Sequence, residues 1–182
     1  AGECMIKSVG FVEHDLGLES LAERASHEAA RVLAGISGNG PVVAISPLIA
    51  YALTVILPRW GIDLGRPVMS LSQYLASQRD RLVFSPFPGA ITLHDDWAMA
   101  RGLGDTASVR ELLGAIPQLK LIEPINSGVR ASSDGPLGFY PDEDLAKNIA
   151  AIRYNELKGT SADVIITCSP YGLNNLLRAV SE

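Results

Sequence analysis

The stretch DVIITCSPYGLNNL, residues 163–176, runs from an apolar segment through Cys168, Ser169 and Pro170 into a helix-forming segment. A strand-to-helix corner of this shape is where a Cys-Pro-x-Cys spacing would hold a metal cluster through two thiolates. Ser169 and Gly172 stand at those two places. A serine hydroxyl is largely protonated at neutral pH and glycine has no side chain, so neither donates as a thiolate does. Cys168 lies one place before the slot, and a one-residue shift at a strand end turns a side chain to the other face. The structural role open to Ser169 is a helix cap, shared by Ser46 before Pro47 in PVVAISPLIAYALTVILP, residues 41–58.

Two further groups could do chemistry. His94, Asp95 and Asp96 form a His-carboxylate cluster at the expected C-terminal end of a parallel strand, where α/β sheets present ligands. A metal or acid–base role competes there with an Asx-type turn, and the turn is favoured because adjacent strand residues point to opposite sides and no second histidine lies nearby. Ser169 with His94 could be drawn as nucleophile and base, but no Gly-x-Ser-x-Gly elbow is present. The loop Arg101 to Gly104, RGLG, could offer an anion to the following helix N-terminus. It matches neither a dinucleotide fingerprint nor a P-loop, so a tight turn is favoured.

Positioning these groups requires strands, and the chain repeats its own order of elements. GFVEHDLGLESLAERASHEAARVLAGISGNGPVVAISPLIAYAL, from Gly10, and GFYPDEDLAKNIAAIRYNELKGTSADVIITCSPYGLNNL, from Gly138, share a Gly-Phe opening, an amphipathic helix, a strand, a Ser-Pro corner and a second helix. Leu18, Leu21, Ala22, Ala25, Ala29, Val32 and Leu33 fall at helical spacing in the first copy. Leu145, Ile149, Ala150, Ile152 and Leu157 do so in the second, behind an expected cap at Asp142. VVAI and DVIIT are short continuous apolar runs, the pattern of parallel strands covered on both faces, and Val43 and Ile45 are expected to be buried. By equal spacing, Cys4-Met5 in the first copy corresponds to Ser132-Ser133 in the second.

A further unit precedes the second copy: strand 90–94, a turn at Asp95-Asp96, a helix over about 107–116 and strand 119–123. Residues 59–89, rich in proline and with a short helix expected at 71–77, read as a connector. The expected organisation is therefore a partial first repeat over 1–58, a connector over 59–89 and a second repeat over 90–182. The fold class is α/β, with two pseudo-symmetric halves, each a small parallel sheet flanked by helices. The first half is expected to be N-terminally incomplete, the chain starting at Ala1 as a processed or excised portion.

Composition narrows the partners. The chain has 182 residues, of which 47% are hydrophobic, enough to bury a core without staples. Its two cysteines make no disulfide framework, and a cytoplasmic setting is expected. A net charge of −5, with 15 scattered Lys and Arg residues, removes the driving force for phosphate-backbone binding, so nucleic acid is not an expected partner. The uncharged run at 41–58 approaches the length of a membrane span. Pro47 after Ser46, preceded by Val42 and Val43, favours a buried strand, a corner and a buried helix instead.

The order of these stretches resembles the cysteine-rich, Cys-Cys-Gly (CCG) domain family of iron–sulfur oxidoreductase subunits, heterodisulfide reductase B/D-like and glycolate oxidase iron–sulfur subunit-like. The resemblance covers nearly the whole chain. It rests on ITLHDDWAMARGLGDTASVRELLGAIP, where such proteins read His-Asp-Pro-Cys before an Arg-Gly-Leu-Gly loop. It continues through LIEP and SSDGPLGFYPDEDLAKNIAAIR to DVIITCSPYGLNNL. The resemblance implies an iron–sulfur cofactor, yet the ligand places carry Trp97, Ser132, Ser133, Ser169 and Gly172 in the second copy and Cys4, Met5, Ser46 and Ile49 in the first. Only Cys4 keeps a family thiolate, so no cofactor is expected in this chain and the iron–sulfur site is read as degenerate, with Trp97 filling the volume of the cluster.

The leading expectation is a cluster-less structural or interaction subunit of an electron-transfer assembly, partnered by its other subunits or domains. The alternative is an enzyme or binding protein that takes a small anionic metabolite in the vacated pocket, lined by Asp95, Asp96, Arg101, Ser132, Ser133 and Ser169. A third reading gives the redox chemistry to cofactors elsewhere in the assembly.

Overall fold

The computed structural model describes residues 19–35, 38–135 and 142–180. Cys4 and Met5, and with them the proposed match to Ser132-Ser133, lie outside the described residues. The fold is α/β, with two small parallel sheets flanked by helices. The chain divides into two compact units, Ala1–Leu71 and Ser72–Glu182.

In the first unit, helix α1 (Glu19–Ala34) buries Ala22, Ser26, Ala29 and Leu33. Leu21, expected on the buried face, is exposed because that face is centred on the smaller residues. Strand β1 (Val42–Ala44) pairs in parallel with β2 (Val68–Ser70), Val42 opposite Val68. Helix α2 (Pro47–Tyr51) continues through a π turn, Ala52–Ile56, into a 3-10 turn, Leu57–Trp60, and ends at Gly61 with φ 69°. The uncharged run is therefore a strand, a corner and a helical segment, and among the described residues no helix is long and apolar enough to cross a membrane. Leu33, Leu53, Leu57 and Ile62 form the core, with Val42, Trp60 and Val68 against it.

Two expectations need correction in this unit. Ile45 is 73% exposed and Val43 only half-buried. The strand stops at Ala44, so Ile45 belongs to the corner and loses the cover of a neighbouring strand. Ser46 takes the extended backbone of a cap, φ −101° and ψ 135°, but its side chain makes no cap hydrogen bond.

The second unit begins with α3 (Leu71–Ser77), whose first residue closes the first unit. Its sheet has the order β4-β3-β5, all parallel, from β3 (Gly89–His94), β4 (Leu119–Leu121) and β5 (Val164–Thr167). The central strand buries Ile91, Thr92, Leu93 and His94, as a strand covered on both faces must. Helix α4 (Ser108–Gly114) is shorter than the expected 107–116, and β4 stops before 123.

Helix α5 (Glu143–Lys158) starts at the expected cap, Asp142, whose side chain accepts from the Asp144 N–H. It buries Ala146, Ala150, Arg153 and Leu157, while Leu145 and Ile152, expected inside, are exposed. The small alanines admit a close approach: a Cβ at Gly135, φ 65°, would lie 2.0 Å from the Ala146 carbonyl oxygen. Helix α6 (Pro170–Val180) follows the second Ser-Pro corner. Each unit thus contains helix, strand, Ser-Pro corner and helix in that order.

Candidate functional site

The register of β3 on β5 sets His94 opposite Thr167, so the residues leaving each strand meet at one end of the sheet. Asp95 and Asp96 directly follow β3, and Cys168 and Ser169 directly follow β5. Both aspartates, His94 and Ser169 are buried.

Asp95 is held by structure. Both its oxygens accept from Arg110 at 2.8 Å, and one also accepts from the Gly128 N–H at 2.6 Å. Burial opposes its charge, but Arg110 and Gly128 outweigh this and keep the carboxyl below its ordinary range. Asp96 forms the expected Asx turn: its Oδ1 accepts from the N–H groups of Ala98 at 2.8 Å and Met99 at 3.4 Å, opening the π turn Ala98–Gly102. Burial raises its pKa, aided by the charge of Asp134, and the hydroxyl of Ser169 only partly offsets this.

His94 is the centre of a buried polar network. Its Nδ1 accepts from Arg153 Nε at 3.1 Å, which leaves the imidazole proton of the neutral ring on Nε2. Nε2 lies 3.8 Å from Asp134 Oδ2, too long for a hydrogen bond but close enough for the charge and the N–H dipole to attract. Asn175 donates to the same Asp134 oxygen at 3.0 Å. Burial opposes the Asp134 charge, yet His94 and Asn175 together hold its pKa below the ordinary carboxylate range. Arg153 is fully buried and also donates to the Asn126 carbonyl and to Glu156 Oε2, both at 2.9 Å.

The places that the resemblance gives to cluster ligands are distributed as follows. Ser169 Oγ accepts from the Gly172 N–H at 3.2 Å, so the expected cap forms at this corner and not at Ser46. Ser132 donates to Glu156 Oε2 at 3.2 Å, and Ser133 accepts from the Gly135 N–H at 3.2 Å. Trp97 is half-buried, next to the Asx turn. In the first unit Ser46 is buried, while Ile49 is 37% exposed on α2. Cys168 Sγ sits 3.8 Å from Met99 Sδ, and burial together with the nearby Asp96 charge pushes its thiol up to about 12.

Of the six residues proposed to line an anion pocket, Asp95 and Asp96 face a narrow cleft with His94, Met99, Arg110 and Cys168. Its water-accessible volume is about 10 Å³, room for about one water. Arg101 donates to the carbonyls of Ala131 at 2.9 Å and Val129 at 3.3 Å. Sequence reasoning missed Asp134, Arg153, Glu156 and Asn175. One signal existed for Arg153: it continues the spacing of Ala146 and Ala150 along the buried stripe of α5.

No family model matches the chain, and no solved structure does. Over 136 residues, 75% of its length, it is 24% identical to a subunit of the fumarate reductase (CoM/CoB) of Methanothermobacter marburgensis. The match spans 27% of that relative, so the chain corresponds to about a quarter of it.

Proposed function

We propose that the chain is part of an oxidoreductase subunit of a multi-subunit redox assembly, of the CCG, heterodisulfide reductase-like kind. In that assembly it serves a structural and interaction role in a cytoplasmic setting, and electrons pass through cofactors held elsewhere. The similarity to a reductase subunit supports the redox-assembly context. The role rests on one observation: at the corner of β5 and α6, the residues at ligand places are committed to the fold.

Ser169 is spent on a cap and Ser132 and Ser133 on Glu156 and Gly135, while Cys168, one place before the slot, is a half-buried thiol whose pKa is pushed up to about 12. A cluster needs several thiolates. This donor set does not fit one, and no step of electron transfer is assigned to it. The shared order of elements in the two units supports descent from a repeat.

The experiment is co-expression of the chain with the subunits encoded beside it, followed by size-exclusion chromatography with light scattering. Co-elution in a fixed ratio is expected. Separate elution of the chain from every redox subunit tested would count against the role.

A further inference from the structure

Gly172 lies in the first turn of α6, where an alanine would ordinarily favour the helix. Its backbone is not in the left-handed region, so conformational freedom does not call for glycine there. Space does. A Cβ at this position would lie 2.9 Å from Thr167 Oγ1, 3.3 Å from His94 Cδ2 and 3.4 Å from Asp134 Oδ2.

None of these three neighbours is free to give way. Thr167 Oγ1 accepts from the Ser169 N–H at 3.2 Å, His94 is tied to Arg153, and Asp134 is tied to Asn175. His94 is 1% and Asp134 4% exposed, so neither can swing into solvent. A close-packed interior feels even one added methyl group. Asp134 adds an electrostatic barrier, because a thiolate on residue 172 would face a buried carboxylate.

We infer that this corner is closed to a cluster by what surrounds Gly172, and not only by the thiolates it lacks: Thr167, His94 and Asp134 occupy the space a ligand there would need. The inference deepens the proposed function and takes from it the identity of position 172 as a ligand place. Restoring cysteines alone would therefore not recreate a site.

The test is thermal unfolding of Gly172→Ala and Gly172→Cys, each alone and combined with Thr167→Ala. Both single variants should lower the Tm, opposite in sign to the usual gain from removing a helical glycine. With Thr167→Ala the combined loss should be smaller than the sum, because the nearest obstructing atom is gone. A Tm unchanged or raised by Gly172→Ala, or strictly additive losses, would overturn the inference. In the unmodified chain, a nuclear Overhauser contact between His94 Hδ2 and Gly172 Hα is expected. Its absence would also overturn it, even if the variants do not fold. Iron in the unmodified chain would defeat the proposed function, whereas a tolerated Gly172→Ala in an iron-free chain would defeat only this inference.

Discussion

His94 and Arg153 meet in the interior of the second unit, the imidazole Nδ1 accepting from the guanidinium Nε at 3.1 Å. The contact links the end of β3 to α5. Arg153 carries only donors, so the contact uses the lone pair of His94 Nδ1. The same guanidinium reaches Asn126 and Glu156, and through Glu156 it reaches Ser132.

Replacing Arg153 by methionine should therefore cost about 3 kcal/mol, since it strands the buried His94 Nδ1 and removes the cation beside the part-buried Glu156. Arg153→Lys should recover little, because a single ammonium cannot span three acceptors held by a planar fork. Urea unfolding measures both. A loss below about 0.5 kcal/mol, the range of ordinary surface substitutions, would show that the network carries no stability.

The two Ser-Pro corners should respond differently to the same change. Ser169→Ala removes a formed cap and should cost about 1 kcal/mol. Ser46→Ala removes a buried hydroxyl that has no hydrogen-bond partner, and should be neutral or stabilising. Equal losses at both corners would contradict the geometry.

Acid should act through opposing carboxylates. Asp95 and Asp134 have depressed pKa values in the folded chain, so their contribution is complete above the unfolded carboxylate range and is lost as pH falls through their folded values. Asp96 is raised, so its contribution is present at low pH and is lost as pH rises through its folded value. Asp134→Asn should flatten the acid limb of a stability–pH curve, and Asp96→Asn should raise stability at neutral pH relative to acid. An unaltered acid limb in Asp134→Asn would refute the assignment.

Cys168 should resist alkylation. With its thiol pushed up to about 12, almost none is thiolate at neutral pH, and the thiolate is the nucleophile. In a Cys4→Ser background, iodoacetamide should label the folded chain slowly and the unfolded chain fast. Equal rates would place Cys168 at the surface.

Much of the fold was legible because continuous apolar runs and helical spacing are local signals. The strands at 42–44 and 164–167, the helix at 71–77 and the cap at Asp142 follow from them. Ile45 shows the limit: an apolar run does not say where a strand stops and a corner begins. The network around His94 was not legible for a different reason. Its members come from β3, a loop, α5 and α6, and they meet only because β3 and β5 pair in one register and Gly135 lets α5 approach closely. Gly172 could be read as a missing ligand, but not as a residue for which any side chain lacks room.

The proposed role requires the absence of a cluster, and metal analysis of the anaerobically purified chain tests that most directly. The protein should be colourless, without the broad visible absorption of iron–sulfur charge transfer, and should hold far less than one iron per chain. Stoichiometric iron with matching acid-labile sulfide and a brown colour would contradict it.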